Sequence, residues 1–551
     1  MGKTGAIMTI KTLLTQSLLV ASILYLQGCG SSYNTVKKTP SVVGNINDKD
    51  EWYTNERDYV TKMSVTFDDP NEYLCAPYTD PTAEPRPCTF EDVNNDLDPE
   101  DTYKPILHVN MQTSDYTLTS NYNAQISIKG NYTRTLLQKS YTVKLDKGEP
   151  LYLKQRKLPL TKSESDRSRL RNKVAFALIR KVPNITSLSV NFFHLFINGE
   201  DYGLFNQAEA IREEFLVNRG WNENDYLYNT VNFVFKYDDY FMALDEKGEP
   251  LYPDRFKHVL EVKNGQDHRK LIEMLHAVED TEDIDSVIAK YFNRDNYLAW
   301  LAVNIILGNK DTIQHNYYLY NPMYSDTFYF LPWDYDGAWS VKKYLKRYEY
   351  GISLWWESPL HRKFLSVKKN REDLYALIDK IRAKYITDEA AQAIVDKYLP
   401  LVLPFQGVLP DSQRNSISTC EETAQLLVTR IQDNIDLFKS VIGNPMPFNE
   451  DVSYDSGTKK LYLSWDESVD LEGDSIVYDV NVSKESFDNV ILSEQNLTQY
   501  SLEKTIPLDP GTYYLRVMAK EKYNPEHFQY SYSYVKDDDG IHDGYLEFTV
   551  E

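Results

Sequence analysis

The chain has few cysteines and no surplus of basic residues, and each shortage excludes a class of protein. Only four of its 551 residues are cysteine, and no two of them form a Cys-x-x-Cys pair, so a structural zinc site is not expected. Lysine and arginine number 60 against 82 aspartate and glutamate residues, giving a net charge of −22. A duplex-binding surface needs clustered cations, so nucleic acid is not an expected partner, and the acidic balance also disfavours peripheral binding to an anionic membrane.

Long apolar runs are also missing after the first 30 residues. A basic start precedes an apolar stretch from Leu13 to Leu26, which is too short for a stable spanning helix and typical of a secretory signal. It ends in LQGC at residues 26–29, which resembles the bacterial lipobox. The resemblance implies a signal peptide over 1–28, lipidation of Cys29, a polar tether over 29–58 and a location outside the cytoplasm on the cell envelope. The alternative is an ordinary signal with a chance cysteine.

Besides the predicted lipidation site Cys29, three cysteines remain after the predicted signal. In an exported chain, Cys75 and Cys88 would close a short loop rich in proline and acidic residues, and Cys420 would be the odd thiol. A chain of this length exceeds what one hydrophobic core supports, so two or three domains are expected.

The pattern along the chain predicts a strand-rich part followed by a helix-rich part. Alternating or continuous apolar segments predict strands over Ala124–Ile128 and Tyr141–Leu145, and a hairpin around Asn198-Gly199. Helical spacing then begins near Asp283. From Arg371 to Ile442 the period predicts roughly three helices, separated by the proline-containing stretch Leu399 to Pro410.

The last hundred residues differ in character. Pro445-Met446-Pro447 is a linker by composition, and strands with regularly spaced turns dominate after it. Trp465 and the strand Gly511–Val517 resemble the early tryptophan and the late tyrosine strand of fibronectin type III modules. The sequence therefore predicts an all-β sandwich over 445–551.

The central motif lies in the run from Gly308 to Asp336. Asp311 and Asn316 are five residues apart, after an apolar helix and before a strand, and Asp334 and Asp336 follow a second strand. The first spacing is that of the catalytic Asp and the metal-binding Asn in the kinase catalytic loop, and the later carboxylates stand where a kinase carries its second metal ligand. The alternative is that these residues only build turns and strand ends.

Five sequence blocks, in order, resemble those of the CotH (spore coat protein H) kinase-like family. They are IKGN (128–131) with QKSYTVKL (138–145); DRS (166–168) with LRN (170–172); NGEDYG (198–203) with Glu209; GNKD (308–311) through NYYLY (316–320); and PWDYD (332–336), after which SPL (358–360) continues the pattern. The resemblance implies an α+β fold with a diverged, two-lobed protein-kinase-like domain, placed at 59–444.

The family resemblance also implies a set of roles. Asp311 would be the catalytic residue; Asn316, Asp334 and Asp336 would be metal ligands; Lys144, Lys139, Arg134 and Glu209 would contact nucleotide or phosphate. A solvated strand lysine for Lys144 and an exposed salt bridge for Glu209 are the alternatives. We interpret Asp166 and Arg171 first as a helix cap and an ion pair. No Gly-x-Gly-x-x-Gly precedes Lys144, and Lys129 stands where the family usually has arginine.

The resemblance thus predicts an ATP-dependent phosphotransferase that uses Mg²⁺ or Mn²⁺ to phosphorylate protein serine or threonine. ATP is scarce outside the inner membrane, which motivates a second hypothesis: a surface-anchored binding or assembly protein on an idle kinase-like scaffold. A metal-dependent hydrolase built on Asp311, Asp334 and Asp336 is the third. Under either of the first two, the C-terminal module is predicted to contact a surface protein or a polysaccharide.

Overall fold

A computed structural model describes residues 44–75, 84–98, 103–116, 120–130, 132–339, 351–537 and 540–551. The predicted signal peptide, Cys29 and the first half of the tether, up to residue 43, lie outside the described residues. Within the described ranges, no helix combines the length and the apolar composition that crossing a membrane requires. The chain is an α+β protein that ends in a β-sandwich.

The N-terminal part is built around a closed barrel. The strands, in chain order, are β1 Val60–Thr66, β2 Leu74–Cys75, β3 Arg86–Pro87, β4 Leu107–Thr113, β5 Ala124–Ile128, β6 Tyr141–Leu145, β7 Lys157–Thr161, β8 Val190–Ile197 and β9 Glu200–Ala208. The barrel order is β1-β4-β5-β6-β7-β9-β8, closed by the parallel pair β8 and β1. Successive side chains of a strand point to opposite faces, so Tyr141, Val143 and Leu145 of β6 are buried inside the barrel while Lys144 is exposed on its outside. The sequence prediction for β5 and β6 is confirmed residue for residue.

Helices and a second sheet form the other lobe. The helices are α1 Phe90–Asn94, α2 Arg171–Ile179, α3 Glu213–Asn218, α4 Asp239–Met242, α5 Pro253–Phe256, α6 Arg269–Asp280, α7 Ile284–Tyr291, α8 Arg294–Ile306, α9 Pro359–Ser366, α10 Lys368–Lys384, α11 Asp388–Gln406 and α12 Ile417–Ser440. The sheet comprises β10 Tyr226–Thr230, β11 Leu260–Asn264, β12 Tyr317–Asn321 and β13 Tyr329–Pro332, in the order β11-β10-β12-β13. Helix α8 is buried over most of its length, and it leads directly into the central motif.

One expectation about these helices is wrong. The stretch Leu399 to Pro410 was expected to separate two helices, but α11 continues through Pro400 and Pro404 to Gln406. Proline removes a hydrogen bond from a helix interior. Here packing outweighs that loss, since Val402, between the two prolines, is fully buried in the main hydrophobic core.

The C-terminal residues form two facing antiparallel sheets and a separate two-stranded sheet. Their strands are β14 Glu450–Asp455, β15 Lys460–Trp465, β16 Ile476–Lys484, β17 Val490–Leu497, β18 Ser501–Thr505, β19 Gly511–Glu521, β20 Phe528–Tyr530, β21 Tyr534–Asp537, β22 Gly540–Asp543 and β23 Leu546–Val550. One facing sheet has the order β14-β15-β18, and the other has β17-β16-β19-β20 with β23 also paired to β19; the two-stranded sheet consists of β21 and β22. Trp465 and Tyr478 lie in the shared core. The Tyr513 hydroxyl donates to the Asp509 carbonyl at 2.7 Å, as in the tyrosine corner of such sandwiches.

The cysteines of the barrel region are joined. Cys75 and Cys88 form a disulfide with their Cα atoms 5.3 Å apart, and the short strands β2 and β3 pair beside it. Cys420 is a free, buried thiol on α12.

Candidate functional site

The hairpin of β12 and β13 carries two of the predicted metal ligands at its open end. Asn316 directly precedes β12, and Asp334 stands two residues after β13. Tyr317 pairs with Pro332, so both residues leave the sheet at the same edge. Their φ angles are 61° and 49°, a left-handed conformation that Asn and Asp tolerate better than other residues. The hairpin therefore brings an amide and a carboxylate together.

Asp311 reaches the same place from the helical side. It lies in a short 3₁₀ helix, Lys310–Thr312, that follows α8. A Cβ on Gly337 would stand 2.4 Å from the Asp311 carboxylate oxygen Oδ2. Because Gly337 directly follows Asp336, this close approach sets Asp311 beside the segment that carries the other two carboxylates. Any side chain at position 337 would displace Asp311.

The start of α2 holds that segment in position. Asn172 accepts a hydrogen bond from the Tyr335 backbone N–H at 2.7 Å and donates one to the Asp334 carboxylate at 3.4 Å. Arg171 donates from its guanidinium to the Asp336 carbonyl at 2.7 Å. The Arg171 backbone N–H in turn donates to the Asp166 carboxylate at 3.0 Å, but the N-cap residue of α2 is Leu170, so the prediction of Asp166 as the helix cap is wrong in position. The LRN block at 170–172 thus supports the carboxylates through direct contacts.

The electrostatics of this place suit a divalent cation. The pKa of the Asp336 carboxyl is raised above its usual value, first by burial and then by the nearby charge of Asp334, against opposing effects of Ser163 and Lys129. Two carboxylates that repel each other in a buried setting are stabilised when a cation binds between them. Carboxylate and amide oxygens are also the ligands that Mg²⁺ and Mn²⁺ favour.

The three predicted carboxylates do not converge on a single point. Among the described residues, the trio whose carboxylate oxygens all lie within 4.8 Å of one another is Asp470, Asp474 and Glu521 on the sandwich, not the set of Asp311, Asp334 and Asp336. A cation at this place would be held by Asp334, Asp336 and the Asn316 amide, because Asp334 lies close enough for its charge to raise the pKa of Asp336. Asp311, whose carboxylate lies beside Gly337, does not complete a mutually close trio with them.

All four residues line one cleft of about 1020 Å³ between the barrel and the helical lobe. We call the part containing Asp311, Asn316, Asp334 and Asp336 the acidic end. The outer face of β7 and the turn that follows β5 form the barrel wall of the cleft. Residues 210–212, which connect β9 to α3, line it as well. His315, in the loop before β12, is exposed and also lines the cleft.

Another part of the cleft is basic, and the sequence analysis missed it. Lys104, Lys157, Arg212 and Lys263 line both this cleft and an adjoining pocket of about 360 Å³, and we call this set the basic end. Lys263 pairs with Glu261 at 2.6 Å. The only signals in sequence were the charged, strand-like segments around residues 157 and 261–263, which many solvated strands share.

The predicted lysine contacts lie near the cleft but not at its acidic end. Lys144 is exposed on β6, opposite Lys157 in the register, and it lines the adjoining pocket. Lys139 donates to the Arg134 carbonyl, and burial lowers its pKa. Of the two lysines, Lys144 is therefore the one that faces a cavity.

Two predicted nucleotide contacts are engaged elsewhere. Arg134 touches the cleft, but its guanidinium is buried against both carboxylate oxygens of Asp96, at 3.1 and 3.2 Å. Glu209 forms a buried, bidentate pair with Arg219 at 3.0 and 3.1 Å and does not line the cleft. Arg134 and Asp96 are 38 residues apart, and Glu209 and Arg219 are 10 apart. Neither spacing is typical of a known ion-pair motif, so the sequence did not predict these partners. Both side chains are thus held in internal ion pairs, and their contact with nucleotide stays a prediction.

Comparison with known proteins identifies the family. The sequence profile described as "CotH kinase protein" matches residues 126–442, more than half of the chain. The chain therefore belongs to the CotH kinase family. The match includes the acidic end and most of the basic end.

Two individual proteins are similar to parts of the chain. The "Inner spore coat protein H" of Bacillus subtilis (strain 168) is 24% identical over 257 residues, which cover 46% of this chain and 67% of that protein. A crystal structure described as a Fn3-like protein from Clostridium thermocellum is 22% identical, with a TM-score of 0.12, and covers 14% of this chain and 75% of that one.

Proposed function

We propose that this member of the CotH kinase family is an extracytoplasmic phosphotransferase that moves the γ-phosphate of ATP to a serine or threonine of a protein substrate, with Mg²⁺ or Mn²⁺. One observation carries the proposal: Asp311, Asn316, Asp334 and Asp336, spaced as in a kinase, meet at one end of a single cleft. A cleft between two lobes is where such chemistry excludes water and aligns donor with acceptor.

The residues divide the work as their positions suggest. Asn316, Asp334 and Asp336 would hold the cation, which neutralises phosphate charge when bound. Asp311 would orient the acceptor hydroxyl and take its proton as the hydroxyl oxygen bonds to the γ-phosphorus. The bond from that phosphorus to the bridging oxygen of ADP breaks, and ADP leaves with the electron pair. Arg171 and Asn172 would keep the carboxylates in place.

The cellular setting of the proposal comes from the first 30 residues. The LQGC sequence at 26–29 supports a lipid-anchored protein on the outer side of a bacterial membrane. The same location makes the supply of ATP a constraint on the activity. The competing function, a binding or assembly protein on an idle scaffold, has the same anchor and the same sandwich, so a measurement of the site itself must separate the two.

Metal-dependent nucleotide binding tests the proposal directly. Calorimetric titration of ATP with and without Mg²⁺, on protein lacking residues 1–28, should show tighter binding with the metal. Asp334→Ala should remove that metal-dependent part, because the cation would bridge this carboxylate and the phosphates.

Asp326→Ala is the matched control, since Asp326 is exposed at the turn of the same hairpin and contacts Lys270 at 3.4 Å on the surface. It should bind ATP with Mg²⁺ like the wild type. Identical metal dependence in wild type and Asp334→Ala would rule out the proposed cation site. Metal-dependent binding without any phosphoryl transfer would favour the idle scaffold.

A further inference from the structure

The two ends of the cleft are connected by strand β7, which gives a measure of their separation. Lys157 begins this strand, and Ser163, two residues beyond its end, hydrogen-bonds the Asp336 carboxylate. An extended chain rises about 3.3 Å per residue, so the six steps from Lys157 to Ser163 cover up to about 20 Å. The basic end therefore lies well away from the carboxylates along the barrel wall.

The opposite wall gives a similar length. Glu261, Asn229, Tyr318 and Leu331 are paired in one row across the sheet of β11, β10, β12 and β13. Neighbouring strands lie about 4.8 Å apart, so Glu261 is roughly 14 Å from Leu331, which stands three residues before Asp334. Both walls thus place the two ends about 15 Å apart or slightly more, by the same strand geometry.

The basic end brings four cations together around one cavity, and Glu261 pairs with one of them, Lys263, at 2.6 Å. The pKa of Lys157 is lowered to about 7, first by burial and then by the charges of Arg212, Lys263 and Lys104, with Glu261 as the opposing charge. The pKa of Lys263 is lowered by burial in the same surroundings. The adjoining pocket adds Lys144, Arg156, Glu213 and Glu214, of which Arg156 and Glu214 stand 3.8 Å apart.

Cations that repel one another in a half-buried cavity are stabilised by a bound anion. The three phosphates of ATP are much shorter than the separation of the two ends. A triphosphate whose terminal group lies at the acidic end therefore does not reach the basic end.

We propose that the basic end is a second phosphate subsite, so that the cleft accepts a chain of linked phosphates longer than the triphosphate of ATP as phosphoryl donor. The inference rests on the proposed function, because it places the transferred group at the acidic end. In the transfer, the acceptor hydroxyl oxygen bonds to the terminal phosphorus and its proton passes to Asp311. The terminal bridging P–O bond breaks, and the chain leaves one phosphate shorter with the electron pair. Such a donor also removes the dependence on extracytoplasmic ATP.

The experiment compares donors of different length on the same protein. Tripolyphosphate, a medium-chain inorganic polyphosphate and ATP, each with Mg²⁺, are titrated calorimetrically into the protein lacking residues 1–28. The medium chain should bind at least about tenfold more tightly, per chain, than tripolyphosphate. Lys157→Gln/Lys263→Gln should remove that advantage while changing the affinity for tripolyphosphate with Mg²⁺ less than about threefold.

Lys62→Gln is the matched control, because Lys62 is an exposed lysine of barrel strand β1 that does not line the cleft. It should leave every affinity unchanged, which separates a local subsite from general charge attraction. A pH series adds a second readout. Anion binding favours charged Lys157, so chain affinity should fall as pH rises above about 7 in the wild type, and this fall should be weaker in Lys157→Gln.

Equal affinity for the medium chain and tripolyphosphate overturns the inference, and so does a loss in Lys62→Gln as large as in the double variant. A chain preference that a short acidic peptide abolishes by competition, without any transfer from the chain, would assign the basic end to the acceptor instead and also overturn it. The proposed function fails separately, if Asp334→Ala keeps the metal-dependent binding of ATP while the chain preference persists.

Discussion

Charged side chains at the two ends of the cleft differ from buried charged side chains elsewhere in the protein in the sign of the charges next to them. Away from those two ends, Glu209 and Arg219 form two hydrogen bonds with each other, and Arg134, at the margin of the cleft, pairs with the buried Asp96. In the cleft, like charges are grouped: Asp336 beside Asp334, and Lys157 beside other cations. In a buried ion pair each charge is neutralised by another residue of the protein, so no ligand is needed. Grouped like charges are stabilised only when something else binds, which is why burial alone did not distinguish site residues from architectural ones.

The largest expected effect lies at the acidic end. Asp311→Ala should lower phosphoryl transfer by about 10²–10⁴-fold, because proton transfer and positioning by one side chain are typically worth that much. Binding of ATP with Mg²⁺ should stay nearly intact, since Asp311 is proposed to orient the acceptor hydroxyl and not to hold the cation. Transfer from labelled donor to a generic or co-purified acceptor measures the rate, and titration measures the affinity. Full activity of Asp311→Ala would remove the proposed role.

The interior pair should respond in the opposite manner, with stability lost and binding kept. Glu209→Ala leaves the buried Arg219 without its bidentate partner, and such a loss typically costs about 3–5 kcal/mol of unfolding free energy. Denaturant unfolding measures the change. Asp254→Ala is the control, because Asp254 is 96% exposed and its pair with Lys257 should contribute less than about 1 kcal/mol. If Glu209→Ala weakens ATP binding in still-folded protein without lowering its stability, the comparison between the two regions is wrong.

The smallest expected effect is a gain in stability, where Glu209→Ala gives a loss. The pKa of Lys157 falls from 10.5 to about 7 on folding, so the cost of burying its charge is fully present below pH 7 and declines as pH rises toward 10.5. Lys157→Gln should therefore stabilise the ligand-free protein by about 0.5–2 kcal/mol at pH 6, with less gain at pH 9. Thermal unfolding at the two pH values measures it. Lys144→Gln is the control, because Lys144 is exposed and lies opposite Lys157 on the neighbouring strand. It should change stability little at either pH.

The sequence predicted the local elements near the site well. The apolar alternation of β5 and β6 and the Asn198-Gly199 hairpin were read correctly, because the pleat imposes a period of two and the turn needs residues that tolerate positive φ. The five-residue spacing of Asp311 and Asn316 survives as a short 3₁₀ helix followed by a strand. The helix through Pro400 and Pro404 was missed, because packing against the core outweighed a local preference.

Contacts between residues that are distant in the sequence were harder to predict. Arg134 and Glu209 looked like ligand contacts until their partners, Asp96 and Arg219, were brought beside them by folding. Lys157 and Lys263 stand more than a hundred residues apart and meet only because β7 and β11 line opposite walls of one cleft. Neither pair has a spacing that marks it in a sequence.

The sequence by itself thus determined which chemistry is available here, because residue types and short spacings are local: carboxylates and an amide at the ends of two strands, and a β-rich C-terminal segment. Only the tertiary structure decided which charged residues form internal ion pairs and which face the cleft. That difference depends on long-range packing, since a buried charge is satisfied or unsatisfied according to neighbours that the chain supplies from distant positions. Asp336 and Glu209 look alike as residues, and the fold alone makes one a ligand candidate and the other half of an internal ion pair.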